Sequence, residues 1–115
     1  MVPPRMLCHL DDVPDPGSRG FRIEGNGRVH AVFVVRRGDA VYGYLNRCPH
    51  TGLSLDWAPD RFLDADGELI VCATHGALFR IEDGYCVAGP CAGASLRPVS
   101  VRLQGDAVIL VPDYP

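Results

Sequence analysis

Four residues carry most of the chemistry available to this sequence. Cys48 and His50 stand two apart in Cys48-Pro49-His50, and Cys72 and His75 stand three apart in Cys72-Ala73-Thr74-His75. Each pair offers one soft thiolate and one borderline imidazole. Together they make a donor set of two sulfurs and two nitrogens. Zinc takes such a set in a tetrahedron. A [2Fe–2S] cluster takes it when two histidines replace two cysteines on one iron. A third reading is four unrelated residues in a plain β-sandwich. With 5 Cys and 4 His in 115 residues, the two spacings occur together by chance in roughly one or two chains per hundred.

The spacings suit ligation. Donors at i and i+2 of an extended segment project to the same side, and Pro49 fixes a backbone angle between them. Donors at i and i+3 are brought to one side by a turn. Gly52 and Gly76 follow the two histidines closely. Without a Cβ, each lets the backbone approach an inorganic sulfide and direct an N–H at it. Zinc has no use for that pair of glycines.

Strands must hold both pairs. Residues 29–36 and 40–46 are rich in β-branched and aromatic side chains and flank Arg37-Gly38-Asp39. That pattern predicts a hairpin whose second strand delivers the chain into Cys48. A short strand over 68–71 feeds Cys72, and another over 77–81 leaves His75. Asp83-Gly84 turns the chain into a strand over 85–87. Residues 99–103 and 107–111 close the chain as a hairpin around Gln104-Gly105-Asp106. Weaker strands are expected over 6–10 and 21–24, the latter closed by Gly25-Asn26-Gly27. Loops are expected over 11–20, 53–66 and 89–94. No apolar period of 3.6 residues runs long enough for a helix. The expectation is an all-β fold with both pairs on tight loops at strand ends, where a rigid sheet can hold a cofactor.

Composition narrows the function classes. A chain of 115 residues fits one domain, 1–115, with a single modest core. All 11 basic residues are Arg, and the net charge is −3. No basic run exists, which excludes nucleic acid and acidic membranes as expected partners. The longest apolar runs, 32–35 and 107–111, are far shorter than a membrane span. No basic region followed by a long apolar stretch opens the chain, so a cytoplasmic location is expected. Five cysteines there point to metal or redox chemistry before structural disulfides.

The ligand pattern resembles the Rieske-type [2Fe–2S] ferredoxin family. It shows Cys-x-His, an intervening segment, then Cys-x-x-His-Gly with an aromatic at Phe79. Gly89-Pro90 stands in the place of the proline-containing loop that covers the cluster. The resemblance spans about 29–111. It implies a Rieske-like antiparallel β-sandwich or barrel carrying a cluster-binding subdomain of two ligand loops. By that likeness Cys48 and Cys72 bind the inner iron, and His50 and His75 bind the outer iron near the surface. The 21 residues between His50 and Cys72 exceed the family's usual gap, so extra loop is expected from about 56 to 67.

The resemblance also bears on the potential. Two Fe³⁺, two sulfides and two thiolates sum to zero charge, so histidine ligation eases reduction relative to an all-cysteine cluster. A proton on the free ring nitrogens would follow the electron, and the potential should fall as pH rises. High-potential members carry an extra Cys in each ligand loop, where this chain has Leu53 and Thr74. They also place Ser and Tyr hydroxyls toward sulfur, where this chain has Ala77 and Phe79. Fewer donors leave the reduced form less stabilised. The expected potential lies near the low end of the Rieske range, roughly −150 mV.

Other residues have plainer readings. Cys8 and His9 are neighbours and should face opposite sides of an edge strand. His30 is expected as a surface or packed histidine. Cys86 and Cys91 flank the covering loop and are expected as small packed side chains more than as a redox pair. Asp56, Asp60, Asp64 and Asp66 lack the order of a calcium loop and read as a solvated segment. Trp57 is expected to anchor that segment.

No catalytic residue is expected. Once His50 and His75 are used, only His9 and His30 remain for the two-His-one-carboxylate iron of an oxygenase. The chain therefore reads as a one-electron carrier. The resemblance implies a flavin-dependent reductase fed by NAD(P)H and a terminal oxygenase or other redox acceptor, docking transiently near the histidines. The rival is a redox-sensing or structural small subunit of a larger oxidoreductase complex.

Overall fold

A computed structural model describes residues 5–25, 27–49, 52, 54–73 and 76–111. His50, His75, Leu53 and Thr74 lie outside the described residues. Val32, Phe33, Val34 and Val35 are successive and all buried. Strand side chains alternate between faces, so a strand buried at every position needs a layer on each side. These four residues sit in strand β3 (Arg28–Arg37), and the rest of the fold supplies the two layers.

The first layer is a sheet that curls back on itself. Among the described residues it contains β1 (Arg5–His9), β2 (Gly17–Gly25), β3, β4 (Ala40–Leu45), β8 (Pro98–Gln104) and β9 (Ala107–Val111), in the order β1-β9-β8-β4-β3-β2. Every pairing is antiparallel. The two edge strands approach each other: the Arg5 guanidinium donates to the Glu24 carbonyl at 3.4 Å. Val32 and Val34 point into the curl, where they join Ile23, Val99, Val108 and Leu110.

Phe33 and Val35 point the other way. There the second sheet, β5 (Leu69–Val71), β6 (Leu78–Arg80) and β7 (Cys86–Ala88), closes a core with Phe62, Ile70, Phe79, Ile81 and Leu96. The Phe33 and Phe62 rings stack with centroids 4.2 Å apart and 4° between planes. This second core also contains Cys48 and Cys72. The all-β expectation holds; a single 3-10 turn over Leu10–Asp12 is the helical exception among the described residues. No described helix is long and apolar enough to cross a membrane.

The start of the chain differs from expectation in one respect. Strand β2 begins at Gly17, inside the segment read as loop, and pairs without a break from Gly17↔Arg36 to Gly25↔Arg28. The glycines there answer to crowding, not to a turn. A Cβ at Gly17 would come within 2.5 Å of the Pro14 carbonyl oxygen, and one at Gly20 within 3.3 Å of the Phe62 ring.

The carboxylates of the segment over 56–67 are not simply solvated. Asp60 accepts the Gly20 N–H on its side chain at 2.8 Å and the Ser18 hydroxyl on its carbonyl at 2.8 Å. Asp64 accepts the Glu68 N–H at 2.9 Å. Trp57 does anchor the segment, its indole N–H donating to the Leu63 carbonyl at 3.2 Å, although its ring is 55% exposed.

Tyr44 on β4 joins the two layers. It is buried, and its hydroxyl donates to the Ile81 carbonyl at 2.6 Å. Burial, with Asp83, Glu82 and Tyr42 acting in the same direction, holds its phenol far above the ordinary range. Its stabilisation is therefore complete below the unfolded value, about 10, and fades as pH climbs toward the folded one. Tyr44→Phe is expected to lower the unfolding free energy at pH 7 by about 1 kcal/mol. Denaturant titrations should show the gap between variant and parent narrowing above about pH 10. A gap that stays constant with pH would show that this phenol is not the titrating group.

Candidate metal centre

Strand β4 hands the chain to the first ligand loop under tight control. Past its end, the Leu45 N–H donates to Arg97 O and the Asn46 N–H to Ala31 O, both at 2.9 Å. The Asn46 side chain then clasps the far side of the loop. Its oxygen accepts the Leu55 N–H at 2.7 Å and its nitrogen donates to Asp56 at 3.1 Å.

The carbonyls of the two cysteines close turns with matching bonds. The Cys48 carbonyl accepts the Gly52 N–H at 2.8 Å, and the Cys72 carbonyl accepts the Gly76 N–H at 2.9 Å. Both are i→i+4 turns. Both end on a left-handed glycine, with φ of 76° at Gly52 and 69° at Gly76. A Cβ at Gly76 would meet nothing within 4 Å, so backbone conformation and not crowding selects glycine there. A further bond from the Ala73 N–H to the Leu55 carbonyl, 2.9 Å, laces the second loop to the end of the first.

Cys48 and Cys72 are 1% and 0% exposed and belong to one buried cluster with Leu55 and Ala77. A thiolate in such surroundings is unfavourable unless a bound cation compensates it. Two buried sulfurs on matched turns therefore fit the inner, thiolate-ligated iron of a histidine-ligated [2Fe–2S] cluster. Among the described residues no group of three or more His, Cys, Asp or Glu is gathered to hold a metal ion. The described part of the site supplies the two sulfurs.

A third loop packs on the second. Gly89 has φ 97°, and a Cβ there would come within 2.7 Å of the Ala77 Cα. Gly89 thus lies against Ala77, just past the Cys72 turn. Cys86 and Cys91, at the two ends of the third loop, are buried thiols with Sγ atoms 3.6 Å apart. Burial raises the Cys91 pKa, and the neighbouring Cys86 and Cys48 sulfurs push the same way. Cys91 and Cys86 both pack in the buried cluster that contains Cys48 and Cys72. The contact of Cys91 with Cys48 was not legible from spacing, and neither was the Asn46 clasp; an amide directly after a strand and two residues before a ligand is the signal that was available. Ala77 and Phe79 are fully buried. Cys8 is buried while His9 is exposed, with its Nδ1 3.5 Å from Asp106, so these neighbours do not form a second metal site.

Comparison with known proteins agrees with this construction. The sequence model of the Rieske [2Fe-2S] domain matches residues 4–115. In fold the chain is similar to the ferredoxin of carbazole 1,9a-dioxygenase from Nocardioides aromaticivorans IC177. That match has a TM-score of 0.75 and 27% identity, covering 97% of this chain and 100% of that one. It is also similar to a chain in a complex of reduced oxygenase and oxidized ferredoxin in carbazole 1,9a-dioxygenase, with a TM-score of 0.72, 25% identity and coverage of 93% and 91%. A search of curated protein sequences finds no match. The paired Cys–Gly turns, the double-layered β fold and the match over nearly the whole sequence lead to one assignment: the chain belongs to the Rieske [2Fe–2S] domain family, whose cofactor is a [2Fe–2S] cluster.

Proposed function

We propose that this chain shuttles single electrons from a flavin-bearing, NAD(P)H-fed reductase to a terminal oxygenase, with Cys48, His50, Cys72 and His75 as the four cluster ligands. The observation that carries the reading is the pair of matched turns that bury Cys48 and Cys72 in one core. The oxygenase as acceptor is supported by the likeness to ferredoxins of carbazole 1,9a-dioxygenase, one of them in a complex with its oxygenase. A cytoplasmic setting suits Cys86 and Cys91, close together yet unlinked.

The bound cluster supplies reversible one-electron uptake. The protein's own residues set the conditions for it. Cys48 and Cys72 neutralise iron charge from inside the core, where water does not reach them. Gly52 and Gly76 shape the backbone that surrounds the cofactor. Ala77 and Phe79 bring no hydroxyl to it, which leaves added negative charge poorly stabilised and the potential low.

Several measurements test this. Purified protein reduced with dithionite should bleach in the visible and give an EPR signal of low average g; absence of iron and labile sulfide in native material overturns the reading. The midpoint at neutral pH is expected at roughly −150 mV, and a value well above zero contradicts the account of the missing hydroxyls. Ala77→Ser should move the midpoint upward if its hydroxyl reaches the cluster environment. Cys72→Ser should abolish normal assembly. His75→Cys should keep some cluster at a lower potential, and an unchanged potential removes His75 from the ligand set.

A further inference from the structure

Charge around the first ligand loop is not that of the chain as a whole. The chain carries −3, yet the cleft of about 470 Å³ beside Cys48 and Pro49 is lined by Arg47 and Arg97 and by no described carboxylate. The Leu45 N–H bond to the Arg97 carbonyl, 2.9 Å, holds the two segments together at the base of the cleft. Arg47 leans over the ligand loop: a Cβ on Gly52 would lie 3.5 Å from its Nε and Nη2. Both arginines are exposed. Neither has an ion-pair partner among the described residues, whereas Arg36, Arg37 and Arg80 each face a carboxylate. Acidic residues gather elsewhere, at Asp12, Asp60, Asp64 and Asp66 around a separate groove that Arg19 and Arg61 also line.

We propose that the Arg47–Arg97 cleft is the contact point for an acidic, carboxylate-bearing surface of a redox partner protein. The inference rests on the electron-carrier reading and adds the chemistry of the partner to it. Two arginines lining one cleft can meet carboxylates through charge-assisted hydrogen bonds. Exposed charges at a rim govern the rate and salt dependence of encounter more than its final affinity. The cleft adjoins Cys48, so an anion drawn there arrives beside the ligand loop.

Charged small oxidants probe this surface without a partner in hand. Dithionite-reduced holoprotein is mixed by stopped flow with ferricyanide, an anion, or hexaamminecobalt(III), a cation; each takes one electron, giving ferrocyanide or the cobalt(II) complex. Salt is varied from about 0.01 M to about 1 M, over which the screening length falls from about 30 to about 3 Å. The ferricyanide rate is expected to fall as salt rises, opposite to the trend that the overall negative charge dictates. The double variant Arg47→Gln, Arg97→Gln should lower the ferricyanide rate at low salt by about tenfold, without lowering the cobalt rate. The double variant Arg22→Gln, Arg102→Gln makes the same charge change outside the cleft and should leave the ferricyanide rate near that of the parent. EPR of each reduced variant verifies an intact centre. If the cleft double variant loses its cluster, Arg97→Gln alone, outside the ligand loop, should show an intermediate loss. A ferricyanide rate that rises with salt, or an equal drop in both double variants, overturns the docking assignment while leaving the carrier reading intact. A parent protein with no EPR-active centre overturns the carrier reading itself.

Discussion

A negatively charged sulfur is poorly tolerated in an apolar interior, and that constraint governs the rest of this structure. Cys48 and Cys72 are as buried as Val32, Val34 and Val35 of β3. A bound metal ion would offset that charge, and it would need both sulfurs held in fixed directions. The matched i→i+4 bonds fix the backbone at both cysteines, and the Asn46 side chain adds its clasp at the first. Each turn then needs one residue of left-handed conformation, and glycine fills it both times. The order of causes runs from charge to burial, from burial to turn, and from turn to residue choice.

The scaffold separates two tasks that would otherwise compete. One face of β3 packs the inside of the curled sheet, and the other packs the core that contains the cysteines. Stability of the curl draws on Val32 and Val34, whereas the ligand loops lean on Phe33 and its stacked partner Phe62. Tyr44 connects the two through a buried hydrogen bond. Loops can therefore vary around the site without unmaking the sheet that positions it.

Much of this was legible beforehand. The closing hairpin, the strand over Ala107–Val111 and the strands flanking each ligand loop follow from alternation and turn residues, because those signals are local. The two cysteines stood out because their spacing to a nearby glycine and histidine is also local. What escaped depends on residues far apart in sequence. Gly20 looks like a loop glycine until Phe62 is seen to crowd it. Asp60 looks like a solvated charge until Ser18 and Gly20 are found bonded to it across some forty positions. Arg47 and Arg97 share nothing in the sequence, and only the β4–β8 pairing brings their segments together.

Asn46 has a consequence beyond holding a loop. Its one amide grips the residues on the far side of the Cys48 turn while its backbone is bonded to β3. Ligands held this way have little freedom to shift when the local charge changes by one. Preorganised dipoles spare the rearrangement that would otherwise accompany such a change. The shape of the Cys48 turn is thereby held in part by a neutral side chain two residues before it.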